Sequence, residues 1–230
     1  MKPKRIILIR HGESEGNVDK NIYGGKPDYA LQLTENGIDE ADKAGKKLKE
    51  LIGDETAFFY ISPMWRTRMT FEQIVTHYTA MKPNIKGNPN FWIEEPRIRE
   101  QEWGHFKDIE EGRKIDTLRD AYGPFYYRIP DGESVADVYD RVSDFLGTLH
   151  RDFEKPDFQQ NAIIITHGML IRVFLMRWLH WSVEEFESYA NPDNCQMVIL
   201  EKNKENKFDL IPNLKTKGVK HRYQRPIRLS

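Results

Sequence analysis

Ile6-Ile7-Leu8-Ile9-Arg10-His11-Gly12 is the stretch that decides the fold. Four consecutive apolar residues, most of them β-branched, are typical of a strand that is buried on both faces. The polar residues Arg10 and His11 begin where such a strand ends. Because open α/β sheets bind ligands at the carboxyl ends of their strands, both are candidate site residues. Gly12 allows a sharp turn or a close approach of the backbone.

A second stretch repeats this arrangement. It reads Ala162-Ile163-Ile164-Ile165-Thr166-His167-Gly168, and a helix-like pattern from Met169 to Leu179 follows it. Two buried strands that end in His-Gly at the same edge would bring His11 and His167 together. Each motif alone fits an ordinary turn between a strand and a helix, so it is the pair that indicates a shared site.

A third apolar run, residues 57–61, predicts another buried strand, and Ser62-Pro63 follows it directly. Serine is a common helix cap and proline suits the first helical position, so a helix is predicted from Met64 to about Tyr78. Arg66 then lies in the first turn, at the rim where His11 and His167 are expected. An ordinary surface arginine is the alternative interpretation.

The remaining patterns complete an α/β chain. Apolar residues at helical spacing predict helices over residues 34–52, with Thr34 as the N-cap, over 108–121 and over 135–149. Short apolar runs predict strands over 91–93, 196–200 and 208–211, the last two antiparallel. No linker divides the chain, so we expect one domain over 1–230, with a flexible basic tail from about residue 215.

Composition gives no indication of a nucleic-acid or membrane partner. The net charge is −1, which gives no general attraction to nucleic acid or to membranes. Cys195 is the only cysteine, so no intrachain disulfide can form, as suits a reducing compartment. No apolar run is long enough to cross a bilayer. We therefore expect a soluble cytoplasmic protein.

Two arginines and two histidines around one point indicate an anion pocket. Arginine matches phosphate oxygens with its fork of N–H donors. A metal site is the competing interpretation of two histidines. Fixed positive charge next to them disfavours a cation, and the sequence contains no HExxH motif and no cysteine cluster. We therefore expect no metal and no cofactor.

With a phosphate ester as ligand, a neutral histidine can act as the nucleophile. Nearby arginines lower the pKa of a histidine, and an acceptor on its other ring nitrogen fixes the tautomer. An alcohol leaving group also needs a proton, which a carboxylic acid can supply. Glu13, Glu100 and Glu102 are the candidates, and residue chemistry alone does not choose among them.

The motifs together resemble the histidine phosphatase superfamily, in its phosphoglycerate-mutase-like branch. They cover roughly residues 4–201 and are Arg10-His11-Gly12-Glu13-Ser14 with Asn17, Ser62-Pro63 with Arg66-Thr67, Pro130-Asp131-Gly132-Glu133-Ser134, and Thr166-His167-Gly168. The resemblance implies a three-layer α/β/α sandwich with a mostly parallel central sheet. It also implies that His11 becomes phosphorylated and that the substrate phosphate is bound by Arg10, Asn17, Arg66, His167 and Gly168.

The same resemblance selects the acid. The family places it in an apolar-x-Glu pattern a few residues before a glycine turn, and Ile98-Arg99-Glu100 with Gly104 fits that pattern. Glu100 is therefore the expected proton donor, with Glu102 as second choice. Glu13 matches a frequent family residue whose role we interpret as structural.

Within the branch, three stretches resemble those of plant and fungal phosphoglycerate-mutase-like phosphatases, namely residues 97–104, 132–142 and 172–178. Gln101 stands where glycolytic mutases carry an arginine, and residues 119–128 contain no adjacent arginine pair. We therefore expect a phosphatase, with phosphoglycerate mutase or fructose-2,6-bisphosphatase-like activity as alternatives. A binding or scaffold protein with a phosphate pocket is the alternative of another class. The aromatic residues expected either at the entrance or in the core are Trp65, Trp103, Phe125, Tyr126 and Tyr127.

Overall fold

A six-stranded sheet organises the protein, whose computed structural model describes residues 3–78, 91–104 and 109–217. The strands are β1 (Arg5–Arg10), β2 (Ala57–Ile61), β3 (Trp92–Glu94), β4 (Asn161–Thr166), β5 (Met197–Lys202) and β6 (Phe208–Leu210). Their order is β3-β2-β4-β1-β5-β6. The first four strands are parallel to one another, and β5 pairs antiparallel with both β1 and β6. The predicted α/β class and mostly parallel sheet are confirmed.

The helices of the described residues connect and cover these strands. They are α1 (Glu15–Val18), α2 (Glu35–Ile52), α3 (Trp65–Val75), α4 (Ile109–Tyr122), α5 (Val135–Glu154), α6 (Gly168–Leu179) and α7 (Val183–Ser188). The side chain of Thr34 caps α2, as predicted, by accepting a hydrogen bond from the backbone N–H of Gly37. The predicted start of α4 at Asp108 lies outside the described residues.

Strand β1 contributes to two apolar layers at once. Ile6 and Leu8 belong to a cluster with side chains of α5 and α6, whereas Ile7 and Ile9 belong to a cluster with side chains of α2 and α3. All four side chains are 0% exposed. Burying each of them contributes about 1.5–3 kcal/mol, which explains why the run carries no polar residue.

Helix α5 follows its predicted pattern. The apolar face of the sequence pattern is fully buried in the structure, and its members are Val135, Val138, Val142, Phe145 and Leu149. Ser134 caps the helix and forms a capping box with Asp137. The start of α5 is therefore fixed next to the Gly132-Glu133-Ser134 motif.

The predicted N-cap of α3, Ser62, is wrong. The helix begins at Trp65 behind Met64, which provides no side-chain cap, and it ends at Val75. Ser62 does not cap it, because the fully buried hydroxyl of Ser62 lies 2.8 Å from Nε2 of His167 instead. Arg66 still falls in the first turn of α3, as expected.

The predicted tail begins with a paired segment. Thr216 forms an antiparallel bridge with Tyr189, and the backbone N–H of Lys217 donates to the carbonyl of Ser188. The pairing thus continues two residues past the predicted tail start at residue 215. Residues 218–230, the rest of the predicted tail, lie outside the described residues.

Candidate active site

The site lies where β2, β4 and β1 end. These strands are parallel neighbours, with Arg10 in register with Thr166 and Ile61 in register with Ile165. The next residue along each strand is therefore Ser62, His167 or His11. As predicted, the two histidines come together, with their ring centroids 5.2 Å apart in an edge-on arrangement.

His11 is held in one tautomer by its own loop. Its Nδ1 lies 2.7 Å from the carbonyl oxygen of Gly12, so Nδ1 carries the proton and donates it. The other nitrogen, Nε2, then carries the lone pair that a nucleophile needs. Burial, followed by the positive charges of Arg66 and Arg10, holds the pKa of His11 well below its usual value. His11 is therefore neutral.

A glycine is required at position 12 because the backbone of α2 approaches it closely, and not because residue 12 has a left-handed backbone conformation. A Cβ atom at Gly12 would lie 2.4 Å from the carbonyl oxygen of Gly37, in the first turn of α2. The backbone N–H of Gly12 also donates to Oγ1 of Thr70. These contacts fix the loop that orients His11.

His167 stands at the N-terminus of α6, where it is the N-cap residue. Its Nε2 contacts the hydroxyl of Ser62, while its Nδ1 is buried and has no hydrogen-bond partner among the described residues. Burial, followed by the positive charge of Arg66, keeps the pKa of His167 well below its usual value. The N-terminus of a helix favours an anion, so this position suits a phosphate oxygen.

Two guanidinium groups supply the positive charge. Nη1 of Arg10 donates to the carbonyl of Pro192 at 2.7 Å, and its Nε is buried without a partner in the described residues. Arg66 binds Asp28 through both ends of its fork, at 3.0 Å to Oδ1 and 3.2 Å to Oδ2. The side chain of Arg66 is 4% exposed, so this charge acts in a desolvated setting.

Asn17 and Gly168 complete the expected phosphate-binding set. The side-chain oxygen of Asn17 accepts from the backbone and the hydroxyl of Ser14, which leaves its amide N–H groups as donors. Gly168 opens α6, and a Cβ atom there would lie 2.9 Å from Cβ of Asn191. A larger residue at this position would therefore displace the N-terminus of α6.

Glu100 lies near Arg66 and Arg10, close enough to interact with both charges. Its Oε1 accepts a hydrogen bond from the backbone N–H of Gln101 at 3.0 Å. Burial raises the pKa of Glu100 above its usual value, although the charges of Arg66 and Arg10 act in the opposite direction. A carboxyl group with a raised pKa is suited to donate a proton.

The two other candidate acids differ in position. Oε1 of Glu13 accepts from the hydroxyl of Thr34 at 2.7 Å, and its carbonyl oxygen accepts from the Thr34 backbone N–H. These bonds join the loop to the start of α2, in agreement with the structural role expected for Glu13. Glu102 lines the same cavity as Glu100.

A cavity of about 1280 Å³ opens beside these groups, and Arg10, Asn17 and Glu100 form part of its wall. Of the aromatic residues expected either at the entrance or in the core, Trp103 lines it. Phe125 is 7% exposed and belongs to the core. Trp65 and Tyr126 are exposed outside this lining. The cavity is larger than a phosphate ion requires, so it can also hold a leaving group.

Sequence reasoning missed Asp28 and the contact of Ser62 with His167. Both contacts are distant in sequence, because Asp28 binds Arg66 from 38 residues away and Ser62 meets His167 from 105 residues away. No local pattern signals such pairs. Asn191, which lines the cavity and accepts a hydrogen bond from Arg172, was missed for the same reason.

Two further classes of site are absent from residues 3–78, 91–104 and 109–217. Nowhere in these ranges do three or more His, Cys, Asp or Glu side chains group in a way that could hold a metal ion. Within the same ranges, no helix combines the length and the apolar character needed to cross a membrane. The histidines are instead accompanied by Arg10 and Arg66.

Comparison with known proteins agrees with this geometry. The family model described as "Histidine phosphatase superfamily (branch 1)" matches residues 6–211. The chain is 43% identical to phosphoglycerate mutase-like protein AT74 of Arabidopsis thaliana, over 86% of this chain and 65% of that protein. It therefore spans just under two thirds of the length of that relative.

A second relative is covered more fully. The chain is 31% identical to the broad-range acid phosphatase DET1 of Saccharomyces cerevisiae, over 87% of this chain and 86% of that one. Among solved structures, YhfR of Bacillus stearothermophilus superimposes with a TM-score of 0.68 at 24% identity, covering 90% of this chain and 94% of that chain. This likeness bears on the fold alone.

Proposed function

Because the chain belongs to the histidine phosphatase superfamily (branch 1), we propose that it hydrolyses phosphate monoesters through a phosphohistidine on His11, without a metal ion. One observation carries the proposal. The bond from Nδ1 of His11 to the Gly12 carbonyl, in a buried pocket with two arginines, keeps Nε2 unprotonated. A neutral, oriented imidazole beside fixed positive charge is what attack on a phosphate ester requires.

In the first half-reaction, Nε2 of His11 attacks phosphorus and the bond from phosphorus to the leaving oxygen breaks. Glu100 transfers its proton to that oxygen, so an alcohol departs and Glu100 becomes a carboxylate. Arg10, Arg66 and His167 stabilise the charge on the phosphoryl oxygens as the group moves.

In the second half-reaction, the Glu100 carboxylate removes a proton from water. The resulting hydroxide attacks the phosphoryl group on His11, the bond between phosphorus and nitrogen breaks, and inorganic phosphate leaves. Glu100 is then protonated again and His11 is neutral, which restores the starting state.

The position of Gln101 favours hydrolysis over mutase chemistry. The side chain of Gln101 is 0% exposed, and its amide nitrogen donates to the carbonyl of Glu133. It therefore points into the protein and offers no charge to a second anionic group of a substrate. In α4, Arg113 and Arg119 stand apart and form no adjacent pair. We expect no interconversion of 2- and 3-phosphoglycerate when bisphosphoglycerate is supplied as primer.

We further propose that the partner is a small phosphorylated molecule and that the protein works in the cytoplasm. The net charge of −1 provides no attraction for nucleic acid. The single cysteine, Cys195, has its thiol pKa raised to about 12 by burial, so it is poorly reactive.

The test is hydrolysis of p-nitrophenyl phosphate in the presence of EDTA between pH 4 and 8. We expect activity in the unmodified protein, loss of activity in His11→Ala, and retention of activity in the control His77→Ala, since His77 pairs with Asp42 away from the site. Mass spectrometry of protein quenched in alkali, where phosphohistidine is stable, should detect the phosphate on His11. Near-normal turnover by His11→Ala would refute the proposal, and binding of phosphate esters without any turnover would favour the scaffold alternative.

A further inference from the structure

Glu100 lies on a segment with little regular structure. Residues Pro96–Ile98 form one turn of 3-10 helix, and residues 99–104 form neither helix nor strand. Proton transfer to a leaving group requires a carboxyl group held within a few tenths of an ångström of its productive position. Groups outside the segment must therefore hold it.

Arg141, on the second turn of α5, uses all five of its N–H donors on this segment and on Glu133. Nη1 donates to the carbonyls of Arg97 at 2.6 Å and Arg99 at 2.9 Å, and Nη2 donates to the carbonyl of Glu100 at 3.0 Å. Nε and the second N–H of Nη2 donate to the two carboxylate oxygens of Glu133, each at 3.0 Å. The side chain is 11% exposed, so these bonds are largely shielded from water.

Glu133 binds the same segment from the other side. Its Oε2 accepts from the backbone N–H of Glu102 at 3.0 Å, and its Oε1 accepts from the side chain of Arg99 at 2.7 Å. The backbone N–H of Glu133 donates to the carbonyl of Glu102, and the carbonyl of Glu133 accepts from the side-chain amide of Gln101. The residues on both sides of Glu100 are thus bound to Glu133.

We propose that the Glu133–Arg141 pair is the positioning device of the general acid, fixing the backbone of Glu100 so that its carboxyl group reaches the leaving oxygen and later the attacking water. The inference rests on the function proposed for Glu100. Arg141 and Glu133 do not touch the reacting atoms in this role; they act through Glu100. Lysine cannot replace Arg141, because a single ammonium cannot reach three carbonyls and a carboxylate at once.

The sharpest test is the dependence of rate on the leaving group. Phenolate needs a proton as it departs, whereas 2,4-dinitrophenolate does not. In Arg141→Met we expect phosphorylation of the enzyme by phenyl phosphate to slow by about 100-fold, the effect of misplacing a catalytic group by about 1 Å. The pre-steady-state burst with 2,4-dinitrophenyl phosphate should stay within a few-fold of the unmodified rate. Steady-state turnover should fall for both, because Glu100 also activates water.

Matched variants separate positioning from general damage. Arg151→Met removes an exposed arginine of the same helix, which bonds to Thr148, and should leave both substrates unaffected. Thermal unfolding checks that Arg141→Met is folded, and if it is not, Arg141→Lys and Glu133→Gln take its place. The double variant Glu100→Gln with Arg141→Met should be no slower on phenyl phosphate than Glu100→Gln alone, since both changes act through one group.

Three results would overturn the inference. They are an equal loss of both burst rates in Arg141→Met, an unchanged rate with phenyl phosphate, and additive losses in the double variant. Failure of the proposed function gives a different result, because His11→Ala would then keep its burst with 2,4-dinitrophenyl phosphate.

Discussion

The two sides of the proposed catalytic site are built in different ways. His11 and His167 follow strands whose apolar residues are fully buried, so the hydrogen-bonded sheet and the apolar layers on its two faces set their positions. Glu100 lies on an irregular segment whose position depends on polar contacts with Glu133 and Arg141. The proposed nucleophile therefore depends on backbone order, whereas the proposed acid depends on a few side chains that point mutations can remove one at a time.

The largest effect is expected from the loss of His11, which follows β1. His11→Ala removes the proposed nucleophile, so kcat should fall by at least about 10⁴-fold, in the range that loss of a nucleophile produces in other enzymes. The loss should be equal for phenyl and 2,4-dinitrophenyl phosphate, because no leaving group can compensate for a missing nucleophile. Burst kinetics with both substrates provide the measurement, and unequal losses would contradict the role of His11.

Loss of the Glu100 carboxyl group should affect phenyl phosphate and 2,4-dinitrophenyl phosphate differently. Glu100→Gln keeps the size of the side chain and removes its proton, so the rate with phenyl phosphate should fall by about 100- to 1000-fold. The burst with 2,4-dinitrophenyl phosphate should change little. Glu102→Gln is the control, because Glu102 lines the same cavity. If Glu102→Gln shows the larger loss, the second-choice acid is the correct one.

The pH dependence of the phosphorylation rate should report the ionisation of both Glu100 and His11. Phosphorylation needs protonated Glu100, so its rate falls as pH rises through the raised pKa of Glu100. It also needs neutral His11, so its rate falls on the acid side only below the lowered pKa of His11. The pH range over which the phosphorylation rate is constant should therefore extend into acid solution. Glu100→Gln should remove the basic limb, which burst rates at saturating substrate will test, and a persistent basic limb would assign it to another group.

The sequence could predict the strand-borne histidines of the site better than the irregular segment that carries Glu100. The runs 6–9 and 162–165 signal buried parallel strands, and their His-Gly ends were sufficient to place His11 beside His167. Glu100 came from family resemblance, because an irregular segment has no periodicity to locate it. Arg141 lies 41 residues from Glu100, and its five hydrogen bonds depend on how α5 packs, which no local pattern encodes.

A smaller effect on stability is expected where the nucleophile loop meets α2. In Gly12→Ala, the new Cβ would lie 2.4 Å from the carbonyl oxygen of Gly37, so backbone must move. The free energy of unfolding should fall by about 1–3 kcal/mol, as in other overpacked sites. Gly25→Ala is the control, since a Cβ there meets nothing within 4 Å. Urea unfolding of both variants tests this, and equal stabilities would show that the loop can adjust.

The smallest effect concerns the residue that the sequence assigned to a helix cap. In Ser62→Ala, His167 loses the hydrogen bond to Nε2, and one buried neutral bond contributes about 1 kcal/mol. A lost helix cap would cost a similar amount, so stability alone does not separate the two roles. Activity does, because a cap of α3 has no effect on the His167 ring, whereas the observed contact holds the orientation of that ring at the proposed phosphate site. We therefore expect kcat to fall several-fold in Ser62→Ala and to stay unchanged in the control Ser188→Ala, whose hydroxyl bonds to the carbonyl of Glu185 within α7. A loss of stability with unaltered kcat would restore the capping interpretation.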